Sequence, residues 1–295
     1  MASAYRGGPT GVVVHILYIE KELLMSKVLH LMPVMALAIF WPNIGRTADS
    51  QAELAKQSLN PVAALYSVPI QYNWNQKLGP SGEGYQSVTN IQPVLPFTLN
   101  DEWNLISRTI LPVIDQHGLV PGGQADKSGV GDVTQSFFFS PKHPTASGWI
   151  WGAGPVILVP TGSDELLSGE QWGAGPTVVA LKQSNGWTRG ILANHIWSLD
   201  NSPPDDKDKI NQTFLQPFFS YTTHTYTTYG INTESTYDWQ TREWSVPINL
   251  FVTQLFKVGH QPMSLQAGPR YWVDSPKDGA EGWGFRVAFT LLFPK

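Results

Sequence analysis

No cysteine occurs anywhere in the 295 residues. This excludes disulfides, thiolate metal sites, a cysteine nucleophile and a lipid-modified cysteine anchor. It suits a protein exported through an oxidising periplasm. Charge is scarce as well, at 14% of residues against roughly 25% in ordinary soluble proteins. The formal balance is −4, and no basic stripe exists to neutralise nucleic-acid phosphates. Long apolar runs are missing too. The longest, Val28 to Trp41, is broken by His30 and Pro33 and is too short to cross a bilayer as an ordinary helix. Enzyme signatures are equally thin. There is no Gly-x-Ser-x-Gly elbow and no His-Glu-x-x-His pair, and the seven scattered histidines support no metal site.

Aromatic residues are plentiful, with 12 Trp, 10 Tyr and 13 Phe, yet mean hydropathy is −0.15. Low charge, many rings and middling hydropathy describe strands that alternate between lipid and a lumen. Met25-Ser26-Lys27, the apolar run and the small residues ending at Ala48 read as a secretory signal. The expected organisation is an extension over 1–24 from a start codon assigned too early, then a signal over 25–48. A short helix follows over 49–61, either on the periplasmic side or plugging the lumen, and a barrel occupies 62–295. Within the helix, Ala52, Leu54, Ala55 and Leu59 are the apolar residues, and Pro61 stops it.

The barrel reading rests on period two. Trp283, Phe285, Val287, Phe289, Leu291 and Phe293 occupy alternate positions, with Gly284, Arg286, Ala288 and Thr290 between them. One face of that strand is wholly apolar and suits lipid. Eleven similar segments precede it, which predicts an all-β, antiparallel, up-and-down transmembrane barrel of about twelve strands. Its odd-numbered connections are mostly the long ones and its even-numbered connections mostly short, as a periplasmic N-terminus requires. Tryptophans at strand starts (Trp103, Trp149, Trp172, Trp187, Trp244, Trp283) read as interfacial girdles. Prolines inside several strands argue against regular ladders and mark bulges. The echo Trp151-Gly-Ala-Gly-Pro155 and Trp172-Gly-Ala-Gly-Pro176 reads as hairpin symmetry, with the glycines easing bends.

Several segments resemble a family of bacterial outer-membrane proteins mislabelled neuromedin U-like. That family is related to the phenol-degradation-pathway (MetA) transporters. The resemblance is carried by Leu54-Ala55-Lys56-Gln57 to Asn60-Pro61-Val62, Ser67-Val68-Pro69-Ile70-Gln71, Asn90-Ile91-Gln92-Pro93-Val94, Trp103 to Thr109, Gly131-Asp132, Ser140-Pro141-Lys142, Leu215-Gln216-Pro217-Phe218 and the ending Phe293-Pro294-Lys295. It implies an outer-membrane barrel. More loosely it implies passage of a small molecule, aromatic or otherwise apolar.

The face opposite the apolar stripes carries Arg108, Glu234, Asp238, Arg270 and Arg286. These are the candidate lumen residues, with Arg270 and Arg286 expected as neighbours. They read either as a polar constriction or as a salt-bridge network filling the lumen, the latter favoured because twelve strands leave limited room. No catalytic residue, metal or cofactor is expected. The expected partners are outer-membrane lipid, a small-molecule solute and the barrel assembly machinery, which would read the C-terminal strand ending at Phe293; no nucleic acid is among them. The alternatives are a structural or interaction barrel with working extracellular loops, and a membrane-embedded hydrolase built on His195 with Asn194 and Ser198.

Overall fold

The computed structural model describes residues 48–119, 126–200 and 207–294. The expected extension and nearly all of the signal segment lie outside the described residues. Among the described residues one helix, α1 (Ala48–Ser58), precedes fifteen strands. In chain order these are β1 (Tyr66–Leu78), β2 (Gly84–Ile91), β3 (Val94–Thr98), β4 (Trp103–His117), β5 (Lys127–Val130), β6 (Val133–Pro141), β7 (Trp149–Val159), β8 (Gly173–Ser184), β9 (Trp187–Ser198), β10 (Asn211–Thr222), β11 (Thr227–Thr233), β12 (Ser235–Asp238), β13 (Glu243–Val258), β14 (Gln261–Asp274) and β15 (Gly282–Phe293).

Every pairing is antiparallel, and β15 returns to β1 from Tyr66↔Phe293 to Trp74↔Phe285, closing the ring. The fifteen strands form twelve staves. β2 with β3, β5 with β6, and β11 with β12 are single staves interrupted at Gln92–Pro93, Gly131–Asp132 and Glu234. The expected count of twelve therefore holds, and the extra strands are breaks within staves. Closure removes every sheet edge, the requirement for strands in lipid.

Parity along each stave sets what faces out. Register aligns Tyr72 with Val287 and Asn73 with Arg286, so the aromatic row points outward and the polar row inward. Outward rings gather at both ends. Trp149, Trp151, Trp187 and Phe293 are exposed at the short-turn end, and Trp172, Trp197, Trp244 and Trp283 at the long-loop end. Many pack on one another. Trp187 lies 4.8 Å from Phe219, Trp103 lies 5.8 Å from Trp151, and Tyr271 lies 4.9 Å from Trp283. Exposed rings in two belts flanking an aliphatic band are what a bilayer stabilises.

The prolines have a shared explanation. Gly154-Pro155, Gly175-Pro176 and Gly268-Pro269 each fall at a gap in one neighbouring ladder. Proline lacks the amide the ladder needs. The preceding glycine admits the neighbour's carbonyl: a Cβ there would lie 2.0, 1.7 and 1.8 Å from the oxygens of Phe137, His195 and Leu250. Within the β7–β8 hairpin the ladder is unbroken, with Pro155 opposite Pro176. The repeated sequence thus breaks the two outer edges of one hairpin.

Inside, α1 lies at the short-turn mouth. Leu54, Ala55, Ala63 and Leu65 pack on the lumen-facing Leu255 and Leu292. Gln183 of β8 donates to the Lys56 carbonyl at 2.8 Å. Val62 then packs with Ile106, Phe138, Val179, Leu181 and Leu192. The segment between helix and first strand is thereby tied to several walls of the barrel.

Candidate functional site

Four of the five candidate lumen residues converge. Glu234 fills the gap between β11 and β12, and its carboxylate takes a two-pronged bond from Arg286, at 2.8 and 2.5 Å. Arg286 Nε donates to Asn73 Oδ1 at 2.7 Å, and Arg270 Nη1 donates to the same oxygen at 3.2 Å. Arg270 stands 3.7 Å from Glu234 and 4.7 Å over the Trp272 ring. Trp272 is itself fixed by a bond to Asn75 at 3.0 Å. Arg108 faces the same space from β4 and donates to the neutral amide oxygen of Gln92, at 2.8 Å. The neighbouring pair of Arg270 and Arg286 expected from adjacent strands is present. Asp238 stands apart. It lies at the long-loop rim, where it accepts from Gln212 at 2.8 Å and caps the turn through the amides of Gln240 and Thr241.

Burial makes these charges costly. Arg286 is 2% exposed and Arg270 7%. Arg270 Nε and Asn249 Oδ1 have no protein partner among the described residues. Beneath the cluster, toward α1, lies a cavity of about 240 Å³ lined by Arg108, Glu234, Arg286, Gln92, Phe218 and Phe251, with Asn60 and Pro61 from the helix end among its walls. An apolar patch (Ile106, Phe138, Leu181) covers another part of the inner wall. Sequence parity placed the arginines. It did not single out Asn73 or Gln92, whose amides hold them; Asn73 and Asn75 flanking Trp74 were the available signal.

The opposite mouth is narrowed by the connection 160–172, which folds onto the inner face of the barrel. Gly129 is inward by its pairing with Ile114. A Cβ on it would meet Leu167 at 3.0 Å and the Ser163 side chain. Asp132, at the break between β5 and β6, accepts from Gly162 N, Ser168 Oγ and Gly169 N at 3.0, 2.6 and 2.7 Å. Lys127 pairs with Asp164 at 2.7 Å. Lys207 donates to the carbonyls of Glu165 and Ser168, both at 2.7 Å. The Lys127 ammonium, helped by the Leu166 amide, holds the Asp164 carboxyl below its ordinary range.

The histidine singled out in the sequence faces outward. His195 contacts Thr213 Oγ1 at 2.7 Å and Asn211 Oδ1 at 3.0 Å, and packs 4.1 Å from Trp197. Ser198 lies on the inner face, bonded to Gln171 at 2.8 Å. Asn194, His195 and Ser198 therefore do not assemble.

No family model matches the chain, and no curated protein matches its sequence. Solved structures do. An outer membrane channel from Pseudomonas putida F1 superposes with a TM-score of 0.59 at 16% identity, over 78% of this chain and 96% of that one. The beta domain of the Bordetella autotransporter BrkA gives 0.44 at 10% identity, over 78% of this chain and 100% of that one. Outer membrane phospholipase A from Escherichia coli gives 0.41 at 11% identity, over 78% and 92%. The first likeness shows the fold, an outer-membrane barrel.

Proposed function

We propose that this chain is a channel of the bacterial outer membrane that passes small molecules. The observation that carries the reading is the charged lumen cluster and the cavity it borders. A barrel that only had to be stable would gain more from apolar filling, because buried ion pairs repay their desolvation poorly. Charges aimed into a lumen select or bind what passes. The short-turn end is periplasmic and the long-loop end extracellular in this reading. The C-terminal strand ending at Phe293 is what the assembly machinery would engage. Phe218 and Phe251 in the cavity lining support a solute with an apolar body, in keeping with the resemblance to phenol-degradation-pathway transporters. Liposome swelling tests the proposal. Vesicles carrying the full chain should swell in small organic solutes faster than empty vesicles; equal rates would contradict it.

One observation favours a second reading, a membrane-edge hydrolase. Thr213, His195 and Asn211 form a hydroxyl–imidazole–amide series on the outer face, the order an activated nucleophile needs. The Trp239 indole also donates to that hydroxyl at 2.8 Å. Ester hydrolysis abolished by His195→Ala would support this reading, and no hydrolysis by the intact chain would end it.

A further inference from the structure

Counting charges around the cavity leaves a surplus. In the cluster bordering it, three guanidiniums, Arg108, Arg270 and Arg286, stand with one carboxylate, Glu234; Arg108, Arg286 and Glu234 line the cavity itself. Arg286 takes both oxygens of that carboxylate, and Arg270 stands beside it. Arg108 has no carboxylate within ion-pair distance among the described residues; it donates to the Gln92 amide oxygen. An arginine fork desolvated against a neutral amide keeps most of its capacity for an anion.

We infer that the cavity beside Arg108 binds a small organic carboxylate. The inference deepens the channel reading by naming the solute class, and takes its biological sense from it. The cavity supplies each part such a ligand needs. Arg108 offers unpaired donors in a planar fork. Gln92, held by Arg108 at 2.8 Å, keeps an amide N–H₂ for a second oxygen. Phe218 and Phe251 in the lining give an apolar body somewhere to rest. The volume, about 240 Å³, falls just under the ~300–1,000 Å³ of ordinary ligand pockets, which suits a single ring or a short acyl chain. Glu234 lines the same cavity, but Arg286 holds both of its oxygens, which leaves the Arg108 fork for a bound carboxylate. Cations meet the opposite balance, two net positive charges in a space of low dielectric.

Calorimetry on the folded full chain in detergent, at low salt so that chloride competes little, tests this with benzoate, benzyl alcohol and benzylamine. The three share a ring and differ in charge. Benzoate should bind, and bind at least about tenfold more tightly than the other two. Arg108→Gln should weaken benzoate by about tenfold or more, and Arg108→Lys should fall between, keeping charge and losing the fork. Lys182→Gln, on the outer face, should leave affinity unchanged. Equal binding of benzyl alcohol, or no benzoate binding by the folded wild-type chain, overturns the inference without any variant having to fold. Conductance of the same preparation separates the two failures. Ion flow without benzoate binding removes the carboxylate site and keeps the channel. Benzoate binding without ion flow keeps the site and removes the channel.

Discussion

Removing the Arg286 side chain would leave the Glu234 carboxylate in a crowded lumen with Arg270 at 3.7 Å as its nearest cation. Arg286→Ala should therefore destabilise the barrel by about 3–5 kcal/mol, the range for stripping one partner from a buried pair. Urea unfolding followed by tryptophan fluorescence measures it. Replacing both partners with apolar residues should recover most of the loss, since the pair's desolvation cost vanishes with it. Gly175→Val tests a different kind of residue. A Cβ at that site would lie 1.7 Å from the His195 oxygen, so the folded yield seen by heat-shifted gel mobility should collapse, whereas Ala174→Val, on the outer face, should be tolerated. Parity made the arginines and Glu234 legible in the sequence. For Asp238 it gave the phase but not the place, because phase says nothing about height along the stave: the residue ends β12 at the long-loop rim. The Gly-Pro steps were legible as irregularities, but not which ladder each would break; that depends on the neighbour's carbonyl.

At the scale of elements, both ends of the lumen are tied down. α1 holds to the wall through Leu54 and Ala55. Leu54→Ala should weaken that docking by about 2–5 kcal/mol and raise the open fraction in single-channel records. The helix itself was legible from Ala52, Leu54, Ala55 and Leu59. Its place was not, since a periplasmic helix and a mouth plug share the same amphipathic pattern. The connection 160–172 read only as a long loop, because its attachment depends on Asp132 and Lys127 from another stave. It can be locked. The chain has no cysteine, and the Gly129 Cβ position lies 3.4 Å from Ser163 Cβ, close to the ~3.5–4.5 Å of a disulfide. Gly129→Cys with Ser163→Cys should form a crosslink that leaves conductance low until a reductant is added. Acid should loosen the same loop. The Asp164 carboxyl is held below its ordinary range by Lys127, so its contribution is present above about pH 4 and is lost as pH falls through the depressed value. Opening frequency should rise in acid, and Asp164→Asn should show that frequency already at neutral pH.

For the whole molecule, twelve staves, their antiparallel order and the outward stripes were legible because lipid imposes period two on every strand and closure forbids edges. The interruptions at Gln92–Pro93, Gly131–Asp132 and Glu234 were not, and all three supply what the lumen and the loop use: Gln92 and Glu234 for the cluster and Asp132 for the latch. Irregularity in this barrel coincides with its polar chemistry, as expected where a ladder is broken to aim a side chain. The central claim is that the charged lumen is a path and not only filling. Single-channel recording of the full chain in a planar bilayer tests it most directly. The account predicts discrete openings with anion preference, the preference falling in Arg108→Gln. A folded, heat-modifiable barrel that passes no current, with or without the Leu54→Ala change, would contradict it.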